Sequence, residues 1–332
     1  MLTRVLGRSG IEVSGLGLGC YPIGGPFWRG DHDSVSWQTD RSKQFPGGWG
    51  RVDDAESIRA IHAGLDLGVN FLDTSESYGC GHSERVIGRA IAGRREKVVI
   101  GTKFGNLIDE KRKLFLGHDA SPEFIRQCCE NSLARLATDY IDVYYLHWGN
   151  FEGELEPILE TLEELIHEGK IRTYGWSTDS AEAMRRFAEG EHCGAVEYAL
   201  HVARRNAAMD SLCEELDLGA VIRGPLGMGL LTGKYDVGAT FPEDDIRHGW
   251  DLTEGRLGAI REALNSVKEI LASGGRTLAQ GALAWIWAHS DRAVPIPGFR
   301  TVAQVTENAK AMELGPLSGS DVEEIERLLE AR

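Results

Sequence analysis

The sequence predicts an α/β fold in which parallel strands and helices alternate and close into a (β/α)8 barrel. Eight alternations favour a closed barrel over an open sheet, and three successive strand-like runs end in reactive side chains, where barrels carry their sites. The strand-like runs, each followed by a helical pattern, lie at residues 16–19, 69–73, 97–102, 141–146, 171–176, 194–198, 219–223 and 293–297.

Signals at the helix boundaries agree with this alternation. Ser121 before Pro122 places a cap and a first-turn proline ahead of a periodic stretch, and the acids that begin at Asp53 belong in a first turn. Gly169 and Gly219 stand where a left-handed residue would end a helix just before a strand. His82 is expected to cap the helix that follows the second strand. We therefore expect short connections and no linker.

The reactive side chains at the strand ends form a set suited to carbonyl reduction. Asp73 ends the second run and Tyr78 follows it, while Lys103 and His147 come directly after the third and fourth runs. A phenol with a pKa of about 10 donates protons poorly near pH 7. We expect Lys103 to lower the pKa of Tyr78 and Asp73 to hold Lys103. Tyr78 is then the general acid, and His147 orients a carbonyl oxygen.

At these residues the chain resembles the aldo-keto reductase superfamily, whose catalytic Asp, Tyr, Lys and His match Asp73, Tyr78, Lys103 and His147. The resemblance covers nearly the whole chain. It implies one TIM barrel domain over residues 1–332 with an N-terminal β-hairpin, extra C-terminal helices and NADPH as the cofactor, with NADH less favoured. Further segments that resemble the family, in its order, are 4–19, 174–177, 224–234 and 295–300.

The cofactor's phosphates need a site other than a Rossmann loop, because the chain lacks G-x-G-x-x-G. A glycine-rich loop after the seventh strand can bring backbone N–H groups to a pyrophosphate, although such a loop is often only a turn. The residues proposed for this contact are Gly224, Pro225, Leu226, Gly227, Gly229 and Lys234.

The adenosine end of the cofactor is expected after the eighth strand. Arg300 lies two residues past Gly298, near a predicted helix start that favours an anion. The resemblance implies that Arg300 contacts the 2′-phosphate and that Gln304, Glu307 and Asn308 surround ribose and adenine. The alternative is that Arg300 is a solvated surface cation. Relatives often carry a second basic residue near Gln304, and its absence weakens the case for NADPH.

The nicotinamide site departs from the family pattern. Ser177 matches a serine that contacts the carboxamide, but Thr178 stands where relatives often have Asn, and Glu197 where they often have Gln. An ionised Glu accepts hydrogen bonds and cannot donate them, so we predict weaker or pH-dependent cofactor binding. The alternative is that Glu197 faces the barrel wall in a salt bridge.

The first βα loop, residues 21–52, is long and rich in aromatic residues. Together with Trp148, its rings are expected to form a lid or pocket wall for an aromatic, bulky or sugar-like carbonyl compound. Alternatively, they pack a small core of the loop itself. The loop residues concerned are Tyr21, Phe27, Trp28, Trp37, Phe45 and Trp49.

Composition excludes several other classes of function. A net charge of −15 argues against nucleic acid or an anionic membrane surface as the main partner. The start of the chain lacks the apolar core of a signal peptide and no run could span a membrane, so a cytoplasmic location is expected. Six cysteines fit no metal-ligand spacing, which predicts reduced, buried thiols and no metal site. The expected partner is a small molecule, and the protein is a monomer or a homo-oligomer.

Three alternatives remain at this point. The chain could be a cofactor-binding redox sensor or scaffold with negligible turnover, which the altered Thr178 and Glu197 motivate. It could also be an enzyme of specialised metabolism that acts on one elaborate substrate. A barrel lyase or isomerase without nicotinamide has no support from the four strand-end residues.

Overall fold

The computed structural model of the chain describes residues 2–30 and 44–330. Within these ranges the strands belong to three sheets, of two, eight and four strands. The strands are β1 (Thr3–Val5), β2 (Glu12–Ser14), β3 (Gly17–Gly19), β4 (Trp28–Arg29), β5 (Phe45–Pro46), β6 (Phe71–Asp73), β7 (Val99–Phe104), β8 (Asn106–Asp109), β9 (Leu114–His118), β10 (Ile141–Leu146), β11 (Ile171–Ser177), β12 (Cys193–Ala199), β13 (Gly219–Arg223) and β14 (Ala293–Pro295).

Helices follow each strand of the eight-stranded sheet. Two helices follow β13 and two follow β14, which agrees with the predicted extra C-terminal helices. The α-helices are α1 (Asp54–Asp66), α2 (His82–Ala90), α3 (Pro122–Leu136), α4 (Glu156–His167), α5 (Ala181–Phe187), α6 (Ala207–Glu215), α7 (Gly255–Leu271), α8 (Leu278–His289), α9 (Val302–Leu314) and α10 (Gly319–Glu330).

The eight-stranded sheet is parallel and closes into a barrel. Its strand order is β14-β13-β12-β11-β10-β7-β6-β3, and a parallel bridge from Gly19 to Gly298 joins the two edges. Glycine is required at this seam, because a Cβ on Gly19 would lie 2.4 Å from the carbonyl oxygen of Ile296. The predicted barrel is confirmed, and each predicted strand matches an observed one to within two residues at either end.

Side chains inside the barrel lie in layers because neighbouring residues of a strand point to opposite faces. An apolar layer fills the lower interior, and the polar residues of the site lie further along the same strands. Phe71, for example, lies below Asp73. The lower layer consists of Leu6, Ile11, Val13, Phe71, Val99, Val143, Tyr145, Ala195, Val221, Val294 and Ile296.

The predicted N-terminal hairpin is present and closes the bottom of the barrel. Strands β1 and β2 pair antiparallel, with Arg4 opposite Val13. Three residues of this segment belong to the lower apolar layer of the barrel. The hairpin therefore removes one end of the barrel from water and leaves the opposite end for the site.

A four-stranded sheet at the carboxyl end of the barrel was not predicted. Its order is β5-β4-β9-β8, so it joins the first βα loop to the segment after β7. Trp28 of β4 pairs with Pro46 on one side and with Leu114 on the other. The aromatic loop is thereby tied down on the barrel.

Two predicted helix-boundary roles are wrong. His82 does not cap α2, whose N-cap residue is Gly81; its Nε2 lies 2.8 Å from Oδ1 of Asp54 on α1. Gly219 is part of β13, and the left-handed residue before that strand is Asp217, with φ of 51°. Gly169, at φ of 70°, has the predicted left-handed conformation.

The six cysteines are reduced and buried, as predicted. In the described part of the chain, no helix combines the length and apolar character that crossing a membrane would require.

Candidate active site

The fold brings the four strand-end residues together at the carboxyl end of the barrel. Asp73 ends β6, Lys103 lies near the end of β7, and His147 directly follows β10. The register of the parallel strands fixes their heights along the barrel axis, since Asp73 pairs with Gly101 and Lys103 pairs with Tyr145. Tyr78 reaches the same place from the loop between β6 and α2.

Lys103 is fully buried and held by carboxylates. Its Nζ donates to Oδ1 and Oδ2 of Asp73 at 2.8 and 2.7 Å and to the carbonyl oxygen of Thr74 at 2.8 Å. Oε2 of Glu197 lies 3.0 Å away. Burial lowers the pKa of Lys103, but the Asp73 and Glu197 carboxylates outweigh it and raise that pKa well above its usual value. The ammonium therefore stays charged.

Tyr78 lies above Lys103 and is partly exposed at the mouth. Lys103 Nζ is 5.2 Å from the centroid of its ring. The predicted fall in the pKa of Tyr78 is not what the structure gives. Burial raises this pKa well above 10, Lys103 opposes the rise, and Asp73 and Glu197 offset Lys103. The phenol is therefore fully protonated in the resting protein.

His147 is oriented by a buried polar network that the sequence did not reveal. Asn106 donates from its amide nitrogen to Glu76 Oε1 at 2.7 Å and to His147 Nδ1 at 3.0 Å. Ser75 donates to Glu76 Oε2. An ionised carboxylate only accepts hydrogen bonds, so the Asn106 atom that contacts Glu76 must be the amide nitrogen and not the amide oxygen. Ser75 Oγ also lies 3.1 Å from His147 Nδ1. Because the Asn106 amide nitrogen can only donate, Nδ1 accepts from it, and the ring proton lies on Nε2.

Both ionisable groups of this network are perturbed by burial. Burial, with Lys103 next, holds the pKa of His147 well below 6.5, so its imidazole is neutral. Burial raises the pKa of Glu76 to about 6, against the hydrogen bonds from Ser75 and Asn106. The sequence offered one signal for this network, the carboxylate of Glu76 among the small polar residues after β6. Nothing in the sequence placed Asn106 beside it.

The nicotinamide residues lie in the barrel wall. Glu197 is 2% exposed and its carboxylate contacts Lys103, while Ser177 Oγ donates to Glu197 Oε1 at 3.2 Å. Thr178 is also buried, and its hydroxyl donates to the carbonyl oxygen of Gly149 at 2.9 Å. The salt-bridge alternative for Glu197 is therefore the one that the geometry favours. A carboxamide contact by Glu197 stays a prediction.

The glycine-rich loop after β13 has the backbone that close approach to a phosphate requires. Gly224, Gly227 and Gly229 all have positive φ, and no atom lies within 4 Å of the position that a Cβ on Gly224 would take. The loop therefore borders open space and fits a pyrophosphate. Lys234 is exposed beyond it, with Nζ 4.9 Å from the Tyr235 ring centroid.

The proposed adenosine end opens into a cavity of about 540 Å³, which falls within the range of small-molecule sites. Arg300 and Gln304 line it, together with Asp53 and Glu56 of the first helix segment. Asn308 is buried within α9, and Glu307 is partly exposed. The cavity thus fits a ribose and base, but its wall includes two carboxylates that were not predicted.

Arg300 is partly exposed, and its guanidinium has partners within the protein. Its guanidinium donates to the carbonyl oxygen of Trp49 at 3.1 Å and to that of Arg51. Its backbone N–H donates to Gln304 Oε1 at 2.8 Å. Arg300 therefore ties the first βα loop to the start of α9.

The aromatic residues of the first loop divide between the mouth and the loop's own core. Tyr21 lies 4.8 Å from Tyr78 and 6.3 Å from Trp49, measured between ring centroids. Phe27 is 1% exposed, so it packs the loop rather than lining a pocket; Phe45 is also buried. Trp28 is partly exposed, and Trp37 lies outside the described residues.

Trp148 extends the wall on the far side of His147. Its indole stacks on the His118 imidazole, with centroids 4.9 Å apart. Ring contacts run from Trp49 through Tyr21 and Tyr78 to His147, and Trp148 directly follows His147 in the chain. Among the described residues, no group of three or more His, Cys, Asp or Glu could hold a metal ion.

Comparisons with known proteins agree with this geometry. The model of the Aldo/keto reductase family matches residues 42–330. The Schizosaccharomyces pombe aldo-keto reductase yakc, whose name includes NADP(+), is 34% identical over 282 residues, which cover 82% of this chain and 82% of that protein. Aldo-keto reductase YhdN of Bacillus subtilis is 30% identical, with 97% of this chain and 92% of that protein covered.

Solved structures share the fold along the chain. The glycerol dehydrogenase AKR11B4 from Gluconobacter oxydans is 27% identical with a TM-score of 0.82, covering 99% of this chain and 95% of that one. An aldo-keto reductase from Klebsiella pneumoniae in complex with NADPH is 27% identical with a TM-score of 0.68, at 99% and 95% coverage.

Proposed function

The chain belongs to the aldo/keto reductase family, and from that premise we propose that it reduces an aldehyde or ketone to the alcohol with Tyr78 as the general acid. It is an NAD(P)H-dependent oxidoreductase, and its relatives include proteins named for or bound to NADP. NADPH-dependent carbonyl reduction is therefore its reaction class. The catalytic assignments and the substrate are our proposal.

One observation carries the assignment to Tyr78. A buried ammonium, fixed by Asp73, lies beneath the ring of a tyrosine that is partly exposed beside a neutral histidine. Tyr78 and His147 have ring centroids 6.0 Å apart. Their polar tips can therefore address one carbonyl oxygen at the mouth.

Four side chains of the protein have separate roles at that carbonyl oxygen. The bound nicotinamide supplies the hydride. Tyr78 donates its hydroxyl proton to the carbonyl oxygen, and Lys103 stabilises the phenolate that remains. His147, protonated on Nε2, donates a hydrogen bond to the same oxygen. Asp73 keeps Lys103 in place.

Other residues would hold the cofactor and the substrate. Ser177 would contact the nicotinamide end, the loop from Gly224 to Gly229 the pyrophosphate, and Arg300 with Gln304 the adenosine end. Tyr21, Trp49 and Trp148 stand around the mouth, which suits a bulky or aromatic carbonyl compound.

The test begins with fluorescence titration of the protein with NADPH and with NADH, followed by turnover on a panel of carbonyl compounds. We expect wild type to bind NADPH and to turn over. Tyr78→Phe should bind NADPH as wild type does and lose roughly 100- to 10,000-fold in kcat. Binding without turnover on the whole panel would favour the sensor or scaffold function instead, and loss of binding in Tyr78→Phe would contradict the assignment.

A further inference from the structure

Glu56 already occupies the helix start at which an anion was expected. It lies in the first turn of α1, and its Oε1 accepts the backbone N–H of Val302, the first residue of α9, at 2.9 Å. Arg59 donates to the other oxygen, Oε2, at 2.7 Å and holds the carboxylate in place. The Val302 N–H, then Arg59, lower the pKa of Glu56, which is therefore ionised at neutral pH.

Other groups at this helix start are engaged as well. Thr301 accepts the Gln304 N–H at 3.3 Å, and Gln304 accepts the Arg300 N–H at 2.8 Å. The Arg300 guanidinium is bound to the carbonyl oxygens of Trp49 and Arg51. A phosphate seated here would compete with Glu56 for the Val302 N–H and with two carbonyl groups for Arg300.

A 2′-phosphate and a 2′-hydroxyl meet this wall differently. A phosphate monoester carries a charge of about −1.5 to −2 at pH 7 and offers acceptor oxygens, so the Glu56 carboxylate repels it and withholds a donor. A ribose hydroxyl can instead donate to a carboxylate, as it does in NAD-specific sites. Asp53 adds a second carboxylate to the same cavity.

We propose that Glu56 sets the cofactor choice of this enzyme by opposing the 2′-phosphate, so that NADH is accepted alongside NADPH. This inference rests on the proposed seat of the adenosine end beside Arg300. Glu56→Gln keeps an oxygen to accept the Val302 N–H, removes the charge and releases Arg59 toward an incoming phosphate. Both changes favour a 2′-phosphate, and neither favours a 2′-hydroxyl.

The experiment is calorimetric titration of wild type and Glu56→Gln with 2′,5′-ADP and 5′-AMP, then with NADPH and NADH. We expect Glu56→Gln to bind 2′,5′-ADP and NADPH roughly two- to fivefold more tightly, as one partly exposed charge contact allows. Binding of 5′-AMP and NADH should stay the same or become weaker. Asp66→Asn, at the far end of the same helix, is the control for net charge and should change neither ligand.

Three results would overturn the inference: equal changes for both ligand pairs, weaker binding of 2′,5′-ADP by Glu56→Gln, or the same gain in Asp66→Asn. Arg300→Ala tests whether the adenosine end binds beside Arg300, and it should weaken binding of 2′,5′-ADP more than binding of 5′-AMP. If the ratio of the two dissociation constants stays unchanged, the proposed adenosine site is wrong, and so is the inference. Turnover of wild type with saturating NADPH reports the proposed function separately.

Discussion

Lys103 Nζ lies 3.0 Å from Oε2 of Glu197, although its hydrogen bonds go to Asp73 and Thr74. Within the described residues, Oε2 of Glu197 accepts no hydrogen bond. The contact is therefore electrostatic, and one buried ammonium lies against two buried carboxyl groups. Burial and then Glu197 raise the pKa of Asp73 well above its usual value, against the effect of Lys103. Glu197 thus belongs to the charge balance beneath Tyr78 and not only to the wall beside the nicotinamide.

Removal of the Glu197 charge is expected to make Tyr78 more acidic. Glu197 and Asp73 raise the pKa of Tyr78, so Glu197→Gln should lower it. Reduction needs the protonated phenol, and its loss at high pH should occur at lower pH in the variant. The measurement is kcat/KM for reduction from pH 6 to 11. Ser177→Ala, which removes the other partner of Glu197 without changing charge, should leave the profile in place.

Lys103 is expected to be a stability residue as well as a catalytic one. Lys103→Met leaves the Asp73 and Glu197 carboxylates buried without their cation, and breaking a buried pair in this way costs roughly 3–5 kcal/mol. Urea unfolding measures the loss. The same substitution made in Glu197→Gln should cost clearly less, since one uncompensated charge is gone. Equal losses in both backgrounds would mean that Glu197 and Lys103 are not coupled.

Glu76 is expected to fix the tautomer of His147 through Asn106. Glu76→Gln and Asn106→Ala should each lower kcat roughly five- to twentyfold, because loss of an oriented donor costs about 1–2 kcal/mol. Nitrogen NMR of the His147 ring should show the Nε2-protonated form in wild type and a mixture in the variants. Thr161→Ala, whose hydroxyl donates to the carbonyl oxygen of Pro157 on α4 and not to this network, is the control. An unchanged tautomer with reduced kcat would leave Glu76 a merely structural role.

The same carboxyl group predicts how stability depends on pH. Burial raises the pKa of Glu76 from 4.5 to about 6, so the folded protein binds its proton more tightly than the unfolded chain does. The contribution of Glu76 to the free energy of unfolding is fully present below pH 4.5 and is lost as the pH rises through 6. The loss amounts to about 2 kcal/mol. Glu76→Gln should lack this fall when unfolding free energies are compared between pH 4.5 and 7.

The barrel could be predicted because its strands are buried on both faces and read as continuous apolar runs with clear boundaries. The four catalytic candidates followed, since parallel strands deliver their carboxyl ends to one face. Strands β4 and β5 have only two residues each and carry no periodic signal. The contacts from Asn106 to His147 and from Glu56 to Val302 join residues far apart in sequence, so residue types alone could not reveal them.

The wall formed by Trp148 is expected to govern substrate binding and not cofactor binding. Trp148 follows His147, stacks on His118 and is partly exposed, and its carbonyl oxygen accepts the Trp176 indole N–H at 3.1 Å. Trp148→Ala keeps that backbone contact and removes apolar area from the mouth. Burial of an aromatic side chain is worth about 1.5–3 kcal/mol, so KM for an aromatic aldehyde should rise roughly tenfold or more. KM for a two- or three-carbon aldehyde should change little, and the Kd of NADPH should stay within twofold.

His118→Ala is the matched control, because it removes the stacking partner and leaves the indole in place, and it should have a smaller effect. If both aldehydes lose binding equally, the indole supports the site without lining the substrate.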